Sequence, residues 1–230
     1  MLTTIRNWSE AWSLLIPLLV IVFQKRVRAE MYPLFIYVLI AFVLNLTATT
    51  IFAMNKSMPA FLKNNNVFYN LHSITRVLFL GTYFFGLQIL RFTLFYKILL
   101  VGYIGFILLD FLFFESLFRF SNVLFTVESI LLLIVCLTFL FQAMRDESQV
   151  DWIKHPAFLV FTGVGLYEAV NFFIFLAFYD LVEKDRQFGK LTMTIHNMTF
   201  VVFCILLALA FYKYEKRSPV YRRPSADAAL

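Results

Sequence analysis

Six ionisable side chains lie within or at the ends of long apolar runs of this chain: His72, Arg76, Asp110, Glu128, Glu168 and His196. Asn45, Asn171 and Asn197 accompany them. An ionisable group near the middle of a lipid-facing segment costs about 2.5–3.5 kcal/mol, so such groups mark specific pairing or function. The set offers acids, imidazoles and one guanidinium, which are the side chains of proton transfer, ion binding and polar-ligand recognition. With neutral histidines, the single cation Arg76 answers Asp110, Glu128 and Glu168. A buried excess of negative charge must be met by protons, charged histidines or a bound cation. His72, Glu128, Glu168 and His196 are therefore a candidate ligand set for Zn²⁺ or a similar divalent ion. No local His-x-x-x-His pair occurs, so the ligands would come from separate segments. Arg76 reads first as the ion-pair partner of Glu128 or Glu168.

The elements that must position these groups are seven apolar runs, at 11–23, 33–54, 68–90, 94–114, 123–141, 156–179 and 191–212. Hydrophobic residues make up 61% of the chain and charged residues 15%, with mean hydropathy +0.80. Soluble domains hold about 45–50% apolar and about 25% charged residues, so this surplus needs lipid to cover it. A spanning helix needs about 20 apolar residues, and most of the runs suffice. They are continuous rather than alternating, which excludes barrel strands. The predicted fold is all-α: an integral membrane bundle of seven transmembrane helices over residues 1–212. A basic, unstructured cytoplasmic tail follows over 213–230, in a multi-pass protein of the cell membrane. Pro17 is expected to kink the first helix. The Asn64-Asn65-Asn66 and Asp146-Glu147-Ser148 stretches supply turns, and Pro33 and Pro156 open their helices. Cys136 and Cys204 read as small apolar filler. The net charge of +6 goes with topology and lipid headgroups, not nucleic acid.

Loop cations set the expected orientation. The densest clusters, Lys25 to Arg28 and the C-terminal tail, fall on one side. That places the N-terminus outside and the C-terminus in the cytoplasm. In this orientation His72 and Asp110 lie roughly 6 Å below the outer ends of their helices at 1.5 Å per residue. Glu128 and His196 lie roughly 8–10 Å down, Arg76 and Asn171 roughly 12 Å, Asn45 roughly 14 Å and Glu168 roughly 16 Å. Apart from Lys97, at the cytoplasmic start of its run, the inner halves of the spans carry no Asp, Glu, His, Lys or Arg. Spacings of three and four put His72 with Arg76, and Glu168 with Asn171, on common helix faces. His72, Arg76, Asp110, Glu128, Glu168, Asn171 and His196 are thus expected to line one pocket open to the outside, with an apolar floor beneath.

Such a pocket suits a receptor or sensor that takes a small ligand or ion. It would pass its response to a cytoplasmic signalling partner through the short loops and basic tail. The arrangement resembles rhodopsins and receptors of that architecture at the level of fold. The seventh run has no internal lysine, which excludes a retinal Schiff base there. A metal-dependent intramembrane hydrolase is the first alternative. Seven-helix hydrolases of the alkaline ceramidase and progestin-receptor type carry two histidines four apart in the seventh helix. Here Phe200 stands four residues after His196, and the motif fails. A proton-coupled transporter using Glu168 or Glu128 is the second alternative, with no internal repeat to support it. A haem held between His72 and His196 is a third.

Overall fold

In the computed structural model, Pro17 divides the first apolar run in two. Proline lacks an N–H, and its ring crowds the carbonyl four residues back. The helix stops at that residue, Ser13, and resumes after one turn residue. The result is α1 (Ser9–Ser13) and α2 (Leu15–Phe23). The structure describes residues 8–24, 27–54, 64–87, 93–145, 155–177 and 186–216, and among them every regular element is helical. A short 3₁₀ turn, Ala29–Met31, leads into α3 (Tyr32–Ala53), with Pro33 in its first turn. Next come α4 (Asn66–Gly86) and α5 (Thr93–Leu109), whose end widens into a π turn, Asp110–Phe114. The last three are α6 (Asn122–Arg145), α7 (Pro156–Leu176) and α8 (Arg186–Lys216). Pro156 opens α7. His155 caps that helix: its Nδ1 accepts the Ala157 N–H at 3.1 Å.

Among the described residues, five helical stretches are long and apolar enough to cross a membrane: Ala29–Ala53, Leu94–Phe114, Asn122–Arg145, Pro156–Leu176 and Gln187–Tyr214. The stretch Ser9–Phe23 is apolar but shorter. The α4 helix falls outside the five although it is equally long. It carries Asn70, His72, Ser73 and Arg76 on its buried face, where they lower its hydropathy. The α8 helix runs to Lys216 and so takes in the first four residues of the predicted tail. The rest of the tail lies outside the described residues, as do the Asp146-Glu147-Ser148 turn and many of the loop cations, including Lys25, Arg26, Arg91 and Lys154.

The α7 helix is the centre of the packing, flanked along its length by α6 and α8, while α3 lies along α4 and α8 also meets α1 and α2. Two glycines permit the close approach. A methyl placed on Gly163 would lie 3.2 Å from Leu206 Cβ and 3.3 Å from Phe203 Cδ2 on α8, and one on Gly165 would lie 3.3 Å from Cys136 Cβ on α6. Van der Waals contact holds helices together where lipid is as apolar as the side chains, so small residues at crossings matter more than in water. By contrast α5 is peripheral: 11% of its apolar window is buried, against 44–50% in the other four candidate spans. Both cysteines are free and buried, as expected of apolar filler.

Polarity divides the bundle lengthwise. At one end α1, α4, α6 and α8 begin while α3, α5 and α7 finish, and the buried polar groups gather in that half. Toward the other end the interior is apolar, and Phe161 stacks between Phe84 and Phe139 with ring centroids 4.2 and 3.7 Å apart.

Candidate functional site

The polar half is organised around Arg76, on the third turn of α4 and 1% exposed. Its Nε–H donates to Glu128 of α6, which also accepts the Ser73 hydroxyl. Glu168 of α7 brings Oε1 to 3.4 Å from the same nitrogen, and its Oε2 accepts from Ser129 Oγ at 2.7 Å. The guanidinium carbon lies 5.0 Å from the ring centre of Tyr167, within cation–π range. Three helices are tied by one side chain, as the long planar fork of arginine allows. Arg76 Nη2 and Glu168 Oε1 remain without a hydrogen-bond partner among the described residues.

A second group forms around His196 on α8. Its Nδ1 is 2.6 Å from Asn171 Oδ1 of α7, and its Nε2 is 3.2 Å from Glu10 Oε1 of α1. The Glu10 contact joins the first helix to the last. Tyr167 bridges the two groups, with its ring 5.6 Å from the His196 ring. His72 stands one turn above Arg76. Its ring is stacked on Tyr37 of α3 at 6.1 Å, and the Tyr37 hydroxyl is 3.5 Å from its Nε2.

Between these groups lies a cavity of about 350 Å³. Arg76, His72 and His196 line it, with Glu10 and Tyr167 beside them. Its upper wall is aromatic: Tyr69, Phe120, Phe125 and Phe175. Phe120 precedes α6 in a turn gripped by Asn70, whose Nδ2 donates to the carbonyls of Leu117 at 2.9 Å and Arg119 at 2.7 Å.

The expected pocket residues thus fall into three sets. His72, Arg76 and His196 reach the cavity. Glu128, Glu168 and Asn171 do not line it; they lie behind and hold Arg76 and His196 in place. Asp110 stands apart, because peripheral α5 turns its buried side toward the Ser121 turn, where Asp110 Oδ2 accepts from Ser121 Oγ at 3.5 Å. Asn45, too, bonds its own helix, donating to Ala41 O at 2.9 Å.

The metal set does not assemble. Among the described residues no group of three or more His, Cys, Asp or Glu is placed to hold an ion. The reason is visible in the pairing. Glu128 and Glu168 are drawn to Arg76, both ring nitrogens of His196 face oxygens of neighbouring side chains, and His72 Nε2 faces Tyr37. A haem axial position at His196 would need one of those contacts broken.

Sequence reading missed Glu10, Asn70 and the aromatic wall. Glu10 sits one residue before the first apolar run, between Trp8 and Trp12, and that placement was the available signal. The aromatic residues carried none, because phenylalanine is equally at home against lipid. No family model, curated protein or solved structure matches this chain.

Proposed function

We propose that this chain is a polytopic membrane receptor or sensor, crossing the bilayer seven times with its N-terminus outside and its C-terminus in the cytoplasm. It takes a small ligand into the cavity between α1, α4, α6, α7 and α8. The observation that carries the proposal is the cavity itself: polar groups at its base, aromatic walls, and a stacked phenylalanine floor beyond. Concave, largely apolar sites with a few placed polar groups are the usual form of small-molecule pockets. A ligand shifts a protein only through contacts that differ between two states. The Glu10–His196 contact supplies such a switchable link, since it joins α1 to the helix that leads into the basic tail. The tail is the proposed seat of a cytoplasmic signalling partner.

The apolar floor speaks against a transporter, which needs a path to both sides. The hydrolase alternative lacks a ligand set among the described residues. Thiol labelling tests the proposal. Met193 lines the cavity, whereas native Cys136 and Cys204 lie wholly buried. In intact cells, Met193→Cys should react with a membrane-impermeant maleimide and the unaltered chain should not. Reaction of Met193→Cys only in inverted vesicles would reverse the orientation. Labelling of the native cysteines both in intact cells and in inverted vesicles would reveal a through path and replace the receptor by a transporter.

A further inference from the structure

We infer that the cavity is built for a small organic ammonium ion carrying an aromatic or other apolar group, which binds by taking Glu10 from His196. This rests on the receptor proposal above and names the class of its ligand.

Charge is the first argument. The three acids Glu10, Glu128 and Glu168 outnumber the basic groups they face, Arg76 and the His196 imidazole, even when His196 is counted as a cation. Arg76 is already answered, since two carboxylates lie against its Nε. An anionic ligand would add negative charge to a region that has an excess of it, whereas a cation offsets that excess. Glu10 is the acid placed to meet it. Its side chain is 20% exposed and lines the cavity, whereas Glu128 and Glu168 are fully buried behind Arg76.

The walls are the second argument. Phe120, Phe125 and Phe175 form a ring cluster in the upper wall, with centroids 4.8 Å apart for Phe120–Phe125 and for Phe125–Phe175. Tyr69 packs against this cluster. Aromatic faces carry partial negative charge and attract an ammonium group, while their edges and the Met193 side chain accept its apolar part. Four aromatic residues and one carboxylate around a void are the components of an organic-cation site.

The third argument is the link itself. Glu10 Oε1 is 3.2 Å from His196 Nε2. An ammonium group bonding that carboxylate competes with the imidazole, and the tie from α1 to α8 is exchanged for a tie to the ligand. Binding and release of the helix contact are then one event, which is the differential interaction a receptor requires.

The test uses the purified full-length chain in lipid nanodiscs, with three probes of similar shape: phenethylamine, 2-phenylethanol and 3-phenylpropanoate. Trp152→Phe leaves Trp8 and Trp12, which flank Glu10, as fluorescence reporters. Phenethylamine should bind at least about tenfold more tightly than either other probe, and Glu10→Gln should remove that preference while leaving 2-phenylethanol binding unchanged. His196→Gln removes the competing imidazole and should tighten phenethylamine binding, which keeps the test decisive if Glu10→Gln fails to fold. Stronger binding of the acid or alcohol would overturn the organic-cation assignment while leaving a small-ligand receptor standing. Absence of binding by all three would overturn it as well, and the thiol labelling would then decide separately whether the cavity is open from outside.

Discussion

The two ends of the bundle are made from the same helices and differ in what holds them together. At the cavity end, α4, α6 and α7 are joined by Arg76 with Glu128 and Glu168, and α1, α7 and α8 by His196 with Glu10 and Asn171. At the other end α7 meets its neighbours through glycine contacts and stacked rings. The polar end holds a cavity of about 350 Å³, whereas the void beside Phe84 at the apolar end is only about 20 Å³. The contrast has a physical root. Ion pairs and hydrogen bonds act between a few directed atoms and tolerate open space beside them, whereas dispersion contact is lost as soon as a gap opens. A bundle that must admit a ligand at one end and stay sealed at the other can therefore divide its adhesion this way.

The largest effect expected from breaking this contrast is at Arg76. Arg76→Met leaves Glu128 and Glu168 buried without their cation, and the detergent-solubilised protein should lose about 3–5 kcal/mol of stability, read as a lower thermal unfolding midpoint. Neutralising the whole set with Glu128→Gln and Glu168→Gln should recover much of that loss. An unchanged midpoint in Arg76→Met alone would show that charge does not hold the cavity end.

Phe161→Ala comes next. Large-to-small changes of this kind cost about 3–5 kcal/mol in water-soluble cores. Lipid is nearly as apolar as the core, so chiefly lost packing remains, and a loss on the order of 2 kcal/mol is expected by the same thermal measurement. A native-like midpoint would mean the phenylalanine stack is not a structural seal.

The smallest effect sharpens the comparison. Gly163→Ala forces a methyl against Leu206 and Phe203, with an expected cost of about 1 kcal/mol. Met193→Ala, which only enlarges the cavity, should change the midpoint by less than about 0.5 kcal/mol in equivalent stability. Equal losses from the two would erase the distinction between a packed end and an open one.

Much of the fold was legible because the signals were local. Pro17 broke the first run, Pro33 and Pro156 opened their helices, and the apolar lengths marked five of the seven expected spans among the described residues. His72 and Arg76, four residues apart on one helix face, both line the cavity. Spacing failed for Asp110 because a helix face is defined relative to its own axis, and only the position of α5 at the edge of the bundle decides what that face meets. Glu168 and Asn171 share a face yet serve different partners, Arg76 and His196, because α4 and α8 approach α7 from different sides.

From the sequence alone came the apolar helical stretches, the scarcity of charge within them and the gathering of polar groups toward one end, because each follows from composition and helical rise along a single chain. The tertiary structure decided which acids answer Arg76, that Glu10 would reach His196 across 186 positions, and that aromatic residues would wall a cavity rather than face lipid. Those outcomes depend on helix rotation and neighbour choice, which are fixed by packing between segments far apart in the chain and leave no mark on local pattern.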